Sequence, residues 1–147
     1  MLPQKNDATA QPFRVAAPGE ATDPVRTPAE LERLARRQRA TEARGRRKEA
    51  ARRRWALLNA FVDEGMAGLE LSDAVVWLAL FRHARADGVA TVARMAIVRA
   101  TGISPGTAKV ALRRLINAGW LVRLRRGGPA GGVAVYRVQK PGPGVGQ

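Results

Sequence analysis

Residues 97–119 read IVRATGISPGTAKVALRRLINAG, and this stretch decides the fold class. Two short helical patterns meet at Thr101-Gly102-Ile103-Ser104. Gly102 supplies the left-handed backbone that stops the first helix. Ser104 offers a hydroxyl to the open amides of the second, and Pro105 occupies its first position, where a missing N–H costs nothing. Ala108, Ala111, Leu112 and Leu115 recur at helical spacing and form an inner face. Thr107, Lys109, Val110, Arg113 and Arg114 form the outer one. Asn117-Ala118-Gly119 closes the helix. The spacing predicts two helices joined by a tight turn, the second with a basic outer face.

Downstream, residues 120–126 alternate, with Trp120, Val122 and Leu124 on one face and Leu121, Arg123 and Arg125 on the other. A glycine-rich loop (residues 127–132) and a valine-rich run (residues 133–138) complete a predicted hairpin. Upstream, Asp87-Gly88 marks a turn, residues 89–91 suit a short strand, and a helix follows through residues 94–100 with Met95, Ile97 and Val98 apolar. Before the turn, Ser72 reads as a helix cap with Asp73 in the first turn. Ala74, Val75, Leu78 and Phe81 then fall on one face, widened by Trp77 and Leu80, so this helix is expected to be central and mostly buried. His83 reads as a partly exposed residue favoured by the helix dipole, not as a ligand.

The N-terminal third has a different character. Residues 1–26, rich in Pro, Ala, Thr and Gln with no apolar face, are expected to be a disordered tail. Thr27-Pro28-Ala29-Glu30 is a capping signature. A long basic helix is expected behind it, forming an arm over residues 27–54. Glu32, Glu42 and Glu49 each precede an arginine by four residues (Arg36, Arg46, Arg53), a spacing that stabilises an exposed helix by about 0.3 kcal/mol per pair. Residues 33–54 hold eleven basic side chains and two acids, so no whole face can be buried. Such a stretch suits a solvated helix or linker, or an arm that lies along phosphates. At Trp55 the pattern changes: Trp55, Leu58, Phe61 and Val62 are expected to pack, and Asp63-Glu64-Gly65 to end the helix. Residues 55–140 are expected to form the folded domain, and residues 141–147 a second disordered tail.

Composition narrows the function. The chain has 147 residues and a net charge of +14, from 26 Lys and Arg against 12 acids. Only four of those cations are lysine, and arginine forks match phosphate oxygens, so the balance favours nucleic acid. There is no cysteine, which excludes disulfides, thiolate metal sites and thiol catalysis. A single histidine cannot build a multi-histidine metal site. Aromatic residues are sparse, so the core is expected to come mainly from Leu, Val, Ile and Ala. No signal core or membrane-length apolar run is visible, so the expected location is cytoplasmic, with no membrane partner. No nucleophilic triad, paired carboxylate site, phosphate loop or metal cluster stands out, so neither an enzyme nor a cofactor is expected.

The element order is helix, short strand, helix, tight turn, helix, strand, glycine loop, strand. Together with Val75-Val76-Trp77-Leu78-Ala79-Leu80, Thr101-Gly102-Ile103-Ser104 and Thr107, Ala111-Leu112-Arg113-Arg114-Leu115 and Ala118-Gly119-Trp120-Leu121, it resembles the winged helix-turn-helix domains of bacteria and phages. These are found in small regulators and in plasmid or phage replication proteins. The resemblance covers about residues 71–138. It implies a mainly α fold with a small β-hairpin, a winged helix-turn-helix preceded by the long basic helix.

The resemblance also implies that the second helix of the pair enters the major groove of double-stranded DNA. Ser104, Pro105, Gly106, Thr107, Lys109 and Val110 would then lie nearest the bases, with Arg113 and Arg114 further along toward phosphates. Arg123, Arg125 and Arg126 lead into the wing, where they either contact DNA or simply make an exposed strand face unattractive to aggregation. Arg94 and Arg99 are weaker phosphate candidates. Pro105 and Gly106 stand where similar proteins carry polar or basic residues, so much of the affinity is expected from arginines elsewhere. A transcriptional regulator is the leading expectation. A replication or plasmid-maintenance protein, an RNA-binding module and a protein-interaction module are the alternatives. Homodimerisation through residues 55–62 is left open.

Overall fold

The computed structural model describes residues 26–129 and 132–144. It is mainly helical, with a small three-stranded antiparallel sheet. The expectations for residues 1–25 and 145–147, and for the loop tip at Ala130 and Gly131, lie outside the described residues. Contacts divide the chain into two units, Met1–Ala40 and Thr41–Gln147.

Helix α1 (Pro28–Ala60) begins in the first unit and ends in the second. Its start is the predicted capping box: the Thr27 N–H donates to Glu30 Oε2 at 2.8 Å, and the Glu30 N–H to Thr27 Oγ1 at 3.3 Å. Helical Arg46 and Arg53 meet Glu42 and Glu49 at 3.8 and 3.1 Å. None of the described α1 side chains is buried, as the charge count requires.

Within the second unit, α1 passes into a single π-helical turn (Phe61–Gly65) and a short 3-10 turn (Met66–Gly68). Helix α2 (Leu71–His83), strand β1 (Val89–Thr91), helix α3 (Arg94–Thr101), helix α4 (Pro105–Asn117), strand β2 (Leu121–Arg125) and strand β3 (Val135–Val138) follow. The sheet order is β1-β3-β2. The predicted hairpin is therefore part of a three-stranded sheet whose outer strand is the short run at residues 89–91. Ala90 pairs with Tyr136, and Leu121 with Val138.

Most buried side chains are Ala, Leu, Val and Ile, as composition requires, and aromatic rings occupy the centre. Phe61 stacks on Trp77 at 3.7 Å between ring centroids, Trp77 stacks on Phe81 at 5.0 Å, and Trp120 meets Phe61 edge-on at 5.1 Å. Few aromatics suffice because four of the six described ones, Phe61, Trp77, Phe81 and Trp120, converge on one point. Truncating Trp77 to alanine in such a site costs about 3–5 kcal/mol. Gly65 belongs to this cluster: a Cβ there would stand 2.7 Å from Trp120 Cζ2. The residue that reads as a helix stop is thus required by close packing.

Several expected faces are rotated. Trp55 and Val62 are exposed, at 64% and 49%, whereas Phe61 is fully buried with Leu57 and Leu58 beside it. On α2, Leu78 is exposed and Val75 half-buried, while Val76 and Trp77 are fully buried. Helix α2 starts one residue before Ser72: its cap is Glu70, whose N–H donates to Asp73 Oδ2 at 3.3 Å. In β2, Leu121 is buried and Val122 and Leu124 are exposed, so the core face carries Leu121 and Arg123. Trp120 precedes the strand and does not share its alternation.

The α3–α4 pair matches its reading. Gly102 has φ +72° and its N–H closes α3 on the Val98 carbonyl at 2.9 Å. Ser104 caps α4, accepting from the Thr107 N–H at 3.1 Å, and Ala108, Ala111, Leu112 and Leu115 are buried.

Candidate nucleic-acid interface

Three elements enclose a groove of about 930 Å³. One wall is the outer face of α4, with Gly106, Lys109, Val110 and Arg113. The second is the hairpin, with Arg123 and Tyr136 from the paired strands and Arg126 at the start of the loop. The start of α3 closes the third side with Arg94 and Met95. The segment between β1 and α3 is tied to the one entering β3 by a backbone bond, Val92 N–H to the Ala134 carbonyl at 3.2 Å. Among the described residues, five cations line this groove and no carboxylate does.

Those cations differ from others in the fold by what they touch. Arg94, Lys109, Arg113, Arg123 and Arg126 make no ion pair or hydrogen bond with another described residue. By contrast, Arg114, expected to face phosphate, turns toward α2. Its Nε lies 3.5 Å from Asp73 Oδ1 and its Nη1 3.5 Å from Glu70 Oε1. Asp73 is completely buried, so its charge needs that partner. Arg125 is also engaged, donating from Nη2 to the Val133 carbonyl at 3.0 Å across the hairpin.

At the start of α4, Ser104 Oγ and Thr107 Oγ1 are 2.8 Å apart and bonded to each other, so both hydroxyls serve the cap first. Pro105 is exposed beside them. Gly106, Lys109, Val110, Arg113, Arg123 and Arg126 are brought together in the groove; Ser104, Pro105, Thr107, Arg114 and Arg125 are not part of its lining. Arg99 is exposed on α3 and is likewise outside it.

Tyr136, Met95 and Asn117 also line the groove, though the sequence does not mark them as site residues. Tyr136 is the one tyrosine of the chain and sits at 7% exposure. Burial pushes its hydroxyl pKa up, and the guanidinium groups of Arg123 and Arg94 pull it partly back. The available sequence signal was the alternation of residues 133–138, which puts Tyr136 on one face with Val138.

Arg54 is a second correction. The sequence places it in the basic arm, but Nη1 donates to the Ala84 carbonyl at 2.8 Å and Nη2 to the Phe81 carbonyl at 2.9 Å. Its guanidinium lies 4.2 Å from the Phe81 ring centroid. It satisfies carbonyls at the end of α2, where the helix dipole favours a cation. The rest of the arm is solvent-facing, with Arg44, Arg47, Lys48 and Arg52 exposed.

Among the described residues, no helix is long and apolar enough to cross a membrane. Comparison of the chain with known protein families, with curated proteins and with solved structures finds no match.

Proposed function

We propose that this chain binds double-stranded DNA as a winged helix-turn-helix protein and acts as a transcriptional regulator. In this reading α4 enters the major groove, the β2–β3 hairpin is the wing, and the exposed arginines of α1 add backbone contacts. The observation that carries it is the groove beside α4, lined among the described residues by five unpaired cations and no acid. Leaving that many like charges uncompensated beside one another destabilises the isolated fold, and a polyanion offsets the cost. The order of elements and the tight turn at Gly102 support the same reading.

The test is binding of a fluorescent duplex to the full chain, measured by anisotropy across a salt series and repeated with a structured RNA. If about six phosphates are neutralised, log affinity falls with log salt at a slope of about −5. Lys109→Gln, Arg113→Gln and Arg123→Gln should each weaken binding and flatten that slope by about one. Glutamine at Arg44, Arg47, Lys48 and Arg52 should flatten it further, and an unchanged slope removes the arm from the interface. These substitutions leave Arg54 in place, which truncation through residue 54 would not. RNA binding more tightly than duplex at matched salt would replace DNA with RNA as the partner. Selection from random duplexes then separates a sequence-reading regulator, which yields a consensus, from a backbone binder, which does not.

A further inference from the structure

We infer that Arg94, Arg123 and the Tyr136 hydroxyl form a discrete subsite for one phosphate group, at the floor of the groove between α3 and the sheet. The inference rests on the reading of that groove as a DNA interface and assigns its floor to the phosphodiester backbone.

Arg123 and Tyr136 are direct cross-strand partners in the β2–β3 ladder. Directly opposed residues share a face, with Cβ atoms about 5 Å apart, so the guanidinium and the phenol rise side by side. Arg94 comes from the opposite wall, in the first position of α3. All three line the groove, and the Tyr136 ring responds electrostatically to both arginines. None of the three side chains hydrogen-bonds another described residue. The three supply complementary chemistry: two planar donor forks that can each take an anionic oxygen, and one neutral O–H donor. A tyrosine hydroxyl is protonated at neutral pH, so it donates rather than repels. The ring is nearly buried, but the hydroxyl is not one of the enclosed side-chain atoms left without a partner; it opens to the groove, where an anionic oxygen can accept from it.

The chain has one tyrosine, so protein labelled with ¹³C at the tyrosine ζ carbon gives a single resonance reporting this hydroxyl. The full chain is titrated with inorganic phosphate and with a twenty-base-pair duplex. Duplex should shift the Tyr136 signal. Tyr136→Phe, which keeps the ring, should weaken duplex binding by about three- to tenfold while leaving the salt slope unchanged, because no charge is lost. Arg94→Gln and Arg123→Gln should weaken binding and also flatten the slope, each by about one. A merely structural role for Tyr136 would lower the melting temperature of Tyr136→Phe without changing the affinity of the folded protein.

Duplex that binds while the Tyr136 signal stays still, with Tyr136→Phe binding normally, overturns the subsite and leaves the DNA reading standing. A signal that moves with phosphate when duplex does not bind upholds the subsite for a small phosphorylated ligand and overturns the DNA reading instead. A signal unmoved by either overturns the subsite.

Discussion

Gly106→Ala separates folding from binding, because the two should move in opposite directions. Gly106 lies in the first turn of α4 and lines the groove. Its φ is not positive, and a Cβ there would meet nothing nearer than Ser104 Oγ at 3.8 Å, an ordinary contact. The fold therefore has no use for a missing side chain at this position. Alanine is better than glycine in a helix by up to about 1 kcal/mol, partly through the unfolded chain. In the first turn the lower end applies, about 0.5 kcal/mol, which for a domain near 100 residues raises Tm by roughly 2–4 °C. If the DNA backbone or a base edge approaches the α4 backbone within van der Waals contact, the added methyl displaces it. A tenfold loss of duplex affinity corresponds to about 1.4 kcal/mol and is the least expected. Thermal unfolding without DNA gives the first number and anisotropy with a duplex the second. A variant that melts higher and binds as tightly as the parent would refute close approach at Gly106. A variant that melts lower would refute the steric accounting itself.

Arg114→Gln should destabilise the fold by about 1–3 kcal/mol, measured by urea unfolding; the value is below that of a fully buried pair because Arg114 is 40% exposed. Arg113→Gln, one residue away and outward-facing, should stay within about 0.5 kcal/mol of the parent in the same assay. Arg54→Ala should cost about 1–2 kcal/mol through the lost hydrogen bonds to the Phe81 and Ala84 carbonyls and the lost contact with the Phe81 ring, whereas Arg52→Ala should be neutral; equal effects in urea would contradict the assigned role. Because the Tyr136 pKa is raised by burial, its contribution to stability is present below the ordinary tyrosine pKa and is lost as pH rises past it through the folded value. Unfolding free energy should fall above about pH 10, and Tyr136→Phe should flatten that part of the profile.

The turn between α3 and α4 was fully legible. Gly102, Ser104 and Pro105 act within three or four residues of themselves, and local backbone geometry decides their roles. The inner face of α4 was legible for the same reason, since its four apolar positions stand on one side of a helix whatever lies opposite. The rotation of α2 was not. Nearly every α2 position from Ala74 to Phe81 is apolar, so periodicity alone does not choose a face, and stacking of Trp77 between Phe61 and Phe81 chooses it. Trp55 and Val62 fit the helical spacing but stand outside the packed face for a similar reason.

Arginines separate what sequence determines from what tertiary structure decides. Sequence determined that the chain is strongly cationic, that the cations are arginines, and that many fall on the outer face of α4 and on β2. All of these follow from counting and from a helical or strand period. Which arginines are available to a ligand was decided by tertiary structure alone. Arg54 is taken by the end of α2, Arg114 by Asp73 and Glu70, and Arg125 by the loop leading into β3, while Arg94, over twenty residues from the hairpin, joins Arg123 at the groove. A guanidinium pairs with whatever carbonyl or carboxylate the fold places within reach. That proximity depends on contacts across the chain, which a linear pattern does not contain.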